Sequence, residues 1–187
     1  MPMVFLKIDD ATKKKIAKIE VPGKREDEDS YHITMFHFQK NTSKEIILMF
    51  ELLNKELTKH KHFTFNVSKI ETFPAESPPI FLKAESERLH ILRAKIAKIF
   101  DKNNLDYSKV HGDYKPHCTL SYGTNKHKDY TDEINPIQIK ANTIGYYSGY
   151  GKKVLFEIPI GMKMSSLDEL DCLSKIAEED LFNLFID

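Results

Sequence analysis

The word His-x-Thr-x occurs at His32-Ile33-Thr34-Met35 and again at His117-Cys118-Thr119-Leu120. In an extended strand, residues two apart share a face. Each word would therefore present one imidazole and one hydroxyl to a common surface, with the intervening apolar residues turned into the core. Two such pairs suit the cleavage of a phosphodiester. One imidazole can take a proton from water, and the other can protonate the departing oxygen. An unperturbed imidazole titrates at about pH 6.5, so both protonation states are accessible near neutrality. The hydroxyls of Thr34 and Thr119 can hydrogen-bond the non-bridging oxygens, whose charge is redistributed in the transition state. The scheme calls for no cofactor and no metal.

A third match, His62-Phe63-Thr64-Phe65, shows that the word alone is weak, because a chain with eight histidines produces stray matches. Context separates the three. His32 and His117 each open a strand that follows a strand–helix unit. His62 comes directly after a helix and is expected to be a bystander.

The elements that would carry the motifs can be read from periodicity. Residues 3–8 form a buried strand. Asp9 or Asp10 caps a short helix over 11–19, with Ile16 and Ile19 inward. Residues 22–30 are a charged loop, and 31–38 alternate as a strand. Thr42 and Glu45 form a capping-box pattern ahead of Ile46, Phe50, Leu53 and Leu57 at helical spacing. Residues 63–71 alternate again. Pro74, Pro78 and Pro79 mark a break between halves. A strand over 80–84, a helix over 86–102 (Leu89, Leu92, Ile96, Ile99) and a strand over 117–122 follow. Strands over 137–144 and 153–160 are joined by a Gly/Tyr-rich turn at 145–151. The order strand, helix, strand therefore occurs twice, with the first strands offset by 77 residues and the motif strands by 85. This predicts two lobes of one design, roughly residues 1–75 and 76–164, between which strands can be exchanged. Residues 165–187 read as an appended acidic amphipathic helix with Leu167, Leu170 and Leu173, then Leu181, Leu184 and Phe185.

Bulk composition narrows the classes. The chain has 187 residues and 41% hydrophobic content, enough for one domain or two tightly packed lobes. No apolar run approaches the roughly 20 residues of a membrane-spanning helix, and the apolar N-terminal stretch is too short for a secretory signal. Two isolated cysteines, Cys118 and Cys172, make neither a disulfide framework nor a zinc site. A reducing compartment, the cytoplasm, is expected, and a monomer. Net charge is zero, but residues 165–187 hold seven acids and one lysine, so the tail carries −6 and the body +6. A modestly basic body suits a small anionic ligand or a nucleic-acid end rather than a long duplex. The Lys/Ile/Asn-rich composition hints at an AT-rich genome of the viral kind, which would place the protein in host cytoplasm.

Further candidates surround the motifs. Lys115 precedes the second histidine and could neutralise a phosphate. Tyr122 ends the same strand, but at a spacing that turns it away from Thr119 unless the strand bulges. Tyr146, Tyr147 and Tyr150 stand beside Lys152 and Lys153, a combination that can stack bases and hold phosphates. Phe5 or Lys7 could reach the site from the first strand, and the acidic run Glu26–Asp29 could tune His32. The scattered His60, His90, His111 and His127 show no His-x-x-x-His or Cys pairing, which argues against a metal centre.

Both His-x-Thr-x motifs, Lys115-Pro116 ahead of the second, and Phe63-Thr64-Phe65-Asn66-Val67 followed by Phe73-Pro74 resemble the 2H phosphoesterase superfamily, also described as LigT-like or 2′-5′ RNA ligase-like. The resemblance covers roughly residues 3–160. It implies an α+β, bilobal, pseudo-symmetric fold, with two antiparallel sheets around a central cleft and helices outside. It also implies that His32, Thr34, His117 and Thr119 line that cleft. Many members carry a basic residue soon after the second motif, where this chain has Ser121 and Tyr122. The implied reaction is hydrolysis of a 2′,3′-cyclic phosphate or of a 2′-5′ or 3′-5′ linkage in a nucleotide or RNA end. For a viral enzyme, the substrate would be a host signal such as a 2′-5′ oligoadenylate or a cyclic nucleotide. The alternative is a non-catalytic nucleotide- or RNA-binding module on the same fold. Two intact histidines favour the enzyme, because a binder needs no proton-transfer pair.

Overall fold

Two strands with nearly the same side-chain pattern begin the two halves. In the computed structural model, which describes residues 1–109, 113–149 and 153–184 (179–184 by backbone only), β1 (Met3–Lys7) and β5 (Pro79–Lys83) are each buried at their three central positions. Each runs antiparallel to a strand that opens with a motif histidine, β3 (His32–His37) and β6 (His117–Tyr122). The registers correspond. Lys7 faces His32 and Phe5 faces Thr34, while Lys83 faces His117 and Phe81 faces Thr119. Both ladders slip at the same place, between Val4 and Phe5 and between Ile80 and Phe81. Phe5 and Phe81 are thus the equivalent pair, 76 residues apart as are the strand starts Met3 and Pro79, because β5 begins one residue before the expected position 80.

Each sheet draws strands from both halves of the chain. The first sheet has the order β3-β1-β8-β9, where β8 (Thr143–Tyr147) and β9 (Val154–Pro159) come from the C-terminal half. The second has the order β2-β6-β5-β4-β7. Its β2 (Lys24–Arg25) and β4 (Phe63–Thr72) come from the N-terminal half, and β7 (Asp132–Ala141) closes the edge. Pro136 is accommodated because β7 is an edge strand whose ladder with β4 slips between Val67 and Lys69.

Helices cover the outer faces. α1 (Asp10–Ile16) starts at the Asp9 cap, which accepts from Thr12 N, and ends three residues before the expected boundary. α2 (Ser43–Leu57) carries the reciprocal Thr42/Glu45 capping box and buries Ile46, Phe50, Leu53 and Leu57. α3 (Glu87–Lys102) buries Leu89, Leu92, Ile96 and Phe100, so Phe100 takes the inward place expected of Ile99. α4 (Ser166–Leu184) packs on α2 and β9 through Cys172 and Ile176, and Asn54 Nδ2 donates to Glu169 Oε1 at 2.8 Å. Leu167 and Leu170, expected inward, are 79% and 63% exposed because the buried stripe runs through Cys172 and Ile176 instead. No helix among the described residues is long and apolar enough to cross a membrane.

Three further sequence expectations need correction. The strand expected over 137–144 is two strands in different sheets, because β7 ends at Ala141 and β8 begins at Thr143. Residues 22–30 contain the short strand β2, which zips onto β6 opposite Ser121 and Tyr122. The turn expected at 145–151 begins later, because Gly145, Tyr146 and Tyr147 belong to β8. Gly145 is there for close approach: a Cβ at this position would sit 2.5 Å from Phe5 Cζ. Tyr146 is buried and stacks on Phe156 in the core, with ring centroids 5.3 Å apart.

Candidate active site

His32 and His117 are both half-buried first residues of their strands, and both are tethered in the same way. His32 Nδ1 lies 2.5 Å from Ser30 O, and His117 Nδ1 lies 2.7 Å from Lys115 O. A carbonyl oxygen only accepts, so each Nδ1 carries the hydrogen. Each neutral ring therefore keeps its lone pair on Nε2. His32 Nε2 stands 3.1 Å from Thr34 Oγ1, whose hydroxyl can donate to it. Aromatic rings fix the planes. Phe5 meets His32 edge-on at 5.5 Å, Phe73 meets His117 edge-on at 5.0 Å, and Phe81 meets His117 at 4.9 Å.

Strands β3 and β6 approach each other across a cleft of about 860 Å³. The lining contains His32, Thr34, His117 and Thr119 together, so the two distant motifs share one cavity. Burial pushes both imidazoles below their ordinary 6.5. The Ser30 and Lys115 carbonyls pull the other way. At His32 the positive charges of His117 and Lys13 depress it further, and Glu26 opposes them. Lys13 is itself buried and donates Nζ to Asp29 O at 2.8 Å. Two imidazoles that feel each other's charge disfavour double protonation. Burial and this coupling both weigh against the doubly protonated state.

The remaining candidates divide. Lys115 and Tyr122 line the cleft. Tyr122 arrives there because Leu120 and Ser121 are both fully buried, so alternation skips one position at the register slip. A bulge of this kind is what turns the residue back to the motif face. Tyr147 stands opposite Met3 on the first sheet and is not part of the lining. Tyr150, Lys152 and His111 lie outside the described residues. Lys7 pairs with Glu157 at 2.7 Å. Glu26, from the acidic run, lines the cleft. His62 is exposed just before β4 and away from the cleft, unlike the other two motif histidines. Among the described residues, no three His, Cys, Asp or Glu side chains converge in a metal-binding cluster.

The profile of the 2′-5′ RNA ligase superfamily matches residues 9–139. The chain belongs to this superfamily, the 2H phosphoesterases. A search of curated proteins returned no match. Among solved structures, TT0787 of Thermus thermophilus superposes with a TM-score of 0.68 at 13% identity, covering 87% of this chain and 99% of that one. The apo form of E. coli LigT gives 0.65 at 13% identity, covering 86% and 97%. A structure described as a phosphoesterase gives 0.62 at 12% identity, covering 85% and 94%. At these identities the likeness shows a LigT-like fold.

In this 2H phosphoesterase, several residues in the cleft or packed against its histidines escape a reading of the sequence. Phe81 has a signal: Phe5-Leu6-Lys7 recurs as Phe81-Leu82-Lys83, and each word pairs with a motif strand. Phe73 is visible as part of a strand and turn, but its contact with His117 is not. Arg93 and Tyr114 have no signal, because they reach the cleft from a helix and a loop that local pattern does not relate to β3.

Proposed function

We propose that this chain is a metal-independent phosphodiesterase acting on nucleotides or RNA ends, with His32 and His117 as a general acid–base pair. One observation carries the reading: two imidazoles with matched Nδ1 tethers, which make Nε2 the proton-exchanging nitrogen of each, line one shared cavity. Pure binding would require neither matched tautomers nor two titratable rings.

In this reading the neutral ring takes a proton from water through Nε2 as the water oxygen bonds to phosphorus. The bond from phosphorus to the leaving oxygen breaks, and the protonated ring gives that oxygen its Nε2 proton. The two rings thereby exchange protonation states, and solvent resets them. A 2′,3′-cyclic phosphate yields a monoester and a free hydroxyl on one ribose. An open 2′-5′ or 3′-5′ linkage yields a monoester and a separate alcohol. Thr34 and Thr119 donate to the non-bridging oxygens, a role in which a single donor can matter by about 10²–10³ in rate. One LigT structure is a complex with 3′-AMP, a nucleotide monoester of the kind that opening a cyclic phosphate produces. Destruction of a host 2′-5′ oligoadenylate would be a special case of the same chemistry.

The test is a substrate panel with EDTA present: 2′,3′-cyclic AMP, a 2′-5′-linked diadenylate and a cyclic dinucleotide. Turnover of at least one is expected, surviving EDTA and collapsing in both His32→Ala and His117→Ala. Binding without turnover would make the protein a module. Turnover abolished by EDTA would make it a metal enzyme.

A further inference from the structure

Two arginines touch the motif strands, and they are engaged differently. Arg25 on β2 uses every nitrogen within the protein: Nε donates to Tyr31 Oη at 3.1 Å, Nη1 to Ile19 O at 2.5 Å and Nη2 to Ile16 O at 2.9 Å. Arg93 on α3 commits only Nε, which donates to Met35 O at 3.0 Å. Its guanidinium carbon lies 4.8 Å from the Phe36 ring centroid and 4.4 Å from that of Tyr114. Tyr114 is fixed in turn, donating its hydroxyl to Thr34 O at 3.2 Å. The plane of the cation is therefore set by two rings and one backbone bond. No acceptor and no carboxylate among the described residues meets its two Nη groups. The side chain is half-buried and lines the catalytic cleft.

A half-buried guanidinium with four N–H donors unmet among the described residues is costly unless an anion or water takes them. The planar fork of arginine matches phosphate oxygens in pairs. Its distance along the strand decides which phosphate. His32 Nε2 reaches forward to Thr34 Oγ1, so the anchors of Arg93, at Met35 and Phe36, lie one and two residues beyond that nitrogen on β3. At ~3.3 Å per residue that sets the cation's anchors roughly 3–7 Å to one side of the catalytic nitrogen along the strand, beside the position of a phosphorus held between the two imidazoles. Lys109 approaches the same aromatic group, with Nζ 5.0 Å from the Tyr107 ring, but Asp101 holds it at 3.2 Å. Glu26 and Asp113 are the acids of the cleft lining, and neither pairs with Arg93.

Resting on the phosphodiesterase reading above, we propose that Arg93 is a specificity residue that takes a second phosphate, beyond the scissile one. The preferred substrate then carries at least two phosphates, as an RNA end or a phosphorylated oligonucleotide does and a lone cyclic mononucleotide does not.

Matched pairs test this. A cyclic-phosphate adenosine and a 2′-5′ diadenylate are each compared with forms bearing one added phosphate, at the 5′ or the 3′ end. At least one added phosphate should raise kcat/KM about 10–100-fold at low salt, mainly through KM, and the gain should shrink with salt. Arg93→Gln should cost the phosphorylated member about tenfold more than its partner, and Arg93→Lys should restore part of the difference. No preference in the wild type, or an equal cost on both members, overturns the assignment. If no substrate turns over, the catalytic reading fails and binding decides this one separately. Calorimetry should then show adenosine 3′,5′-bisphosphate binding more tightly than AMP, with the advantage lost in Arg93→Gln. Equal affinities overturn it.

Discussion

Replacing Gly145 by alanine tests whether the ring of Phe5 positions His32. Gly145 faces Phe5 across the β1/β8 ladder, and a Cβ there would lie 2.5 Å from Cζ, 2.9 Å from Cε1 and 3.0 Å from Cε2. Carbon atoms settle at about 3.5–4.0 Å, so the ring must retreat by roughly 1 Å. On the other side of β1 stands β3, whose His32 meets the same ring edge-on at 5.5 Å. A catalytic group displaced by ~1 Å can cost on the order of 10²-fold in rate, while overpacking costs about 1–3 kcal/mol of stability. The folded variant should therefore lose about 10–100-fold in kcat with KM changed much less. Steady-state kinetics and thermal melting of the same preparations separate the two effects. Adding Phe5→Leu removes the clashing end of the ring and should recover melting temperature, while kcat stays low because the ring that meets His32 is gone. A folded Gly145→Ala protein with kcat within about twofold of wild type, or a double variant whose kcat returns to the wild-type value, refutes the reasoning.

Burial lowers both imidazoles, so the bell-shaped kcat/KM profile should peak on the acid side of 6.5, and a peak at alkaline pH would contradict the paired assignment. The same shifts mean that the unfolded chain binds more protons than the folded one just below pH 6.5. Stability should hold above that value and fall as pH decreases, which melting across pH checks. Thr34→Val and Thr119→Val should each lower kcat by about 10²-fold with little change in melting temperature, and unimpaired turnover would remove the hydroxyls from the mechanism. Burial pushes the Cys118 thiol up to about 12 and also raises Cys172. Iodoacetamide applied to the folded protein should therefore leave activity intact, and inactivation would show a reactive cysteine.

The motif strands are legible because their information is local. His-x-Thr alternation sets which side chains share a face, and Thr42 with Glu45 sets where α2 begins. The duplicated strand–helix–strand order reports the two lobes for the same reason. What sequence does not show is pairing between distant segments. β2 looks like charged loop until its backbone meets β6, and β8 looks like a turn because Gly145 serves the ring of Phe5 rather than a bend. Tyr122 depends on a register slip, which alternation alone does not announce. Arg93 depends on its side chain reaching from α3 to the Met35 carbonyl of β3, a tertiary fact with no trace in local pattern.

The most direct test of the central claim is a double-mutant cycle at the two histidines, measured with EDTA present on the best substrate of the panel. Each of His32→Ala and His117→Ala should cost about 10²–10⁴-fold in kcat/KM. Because one proton enters as the other leaves, the double variant should be scarcely worse than either single. Independent, multiplying losses, or a single variant that retains near-normal turnover, would contradict the account.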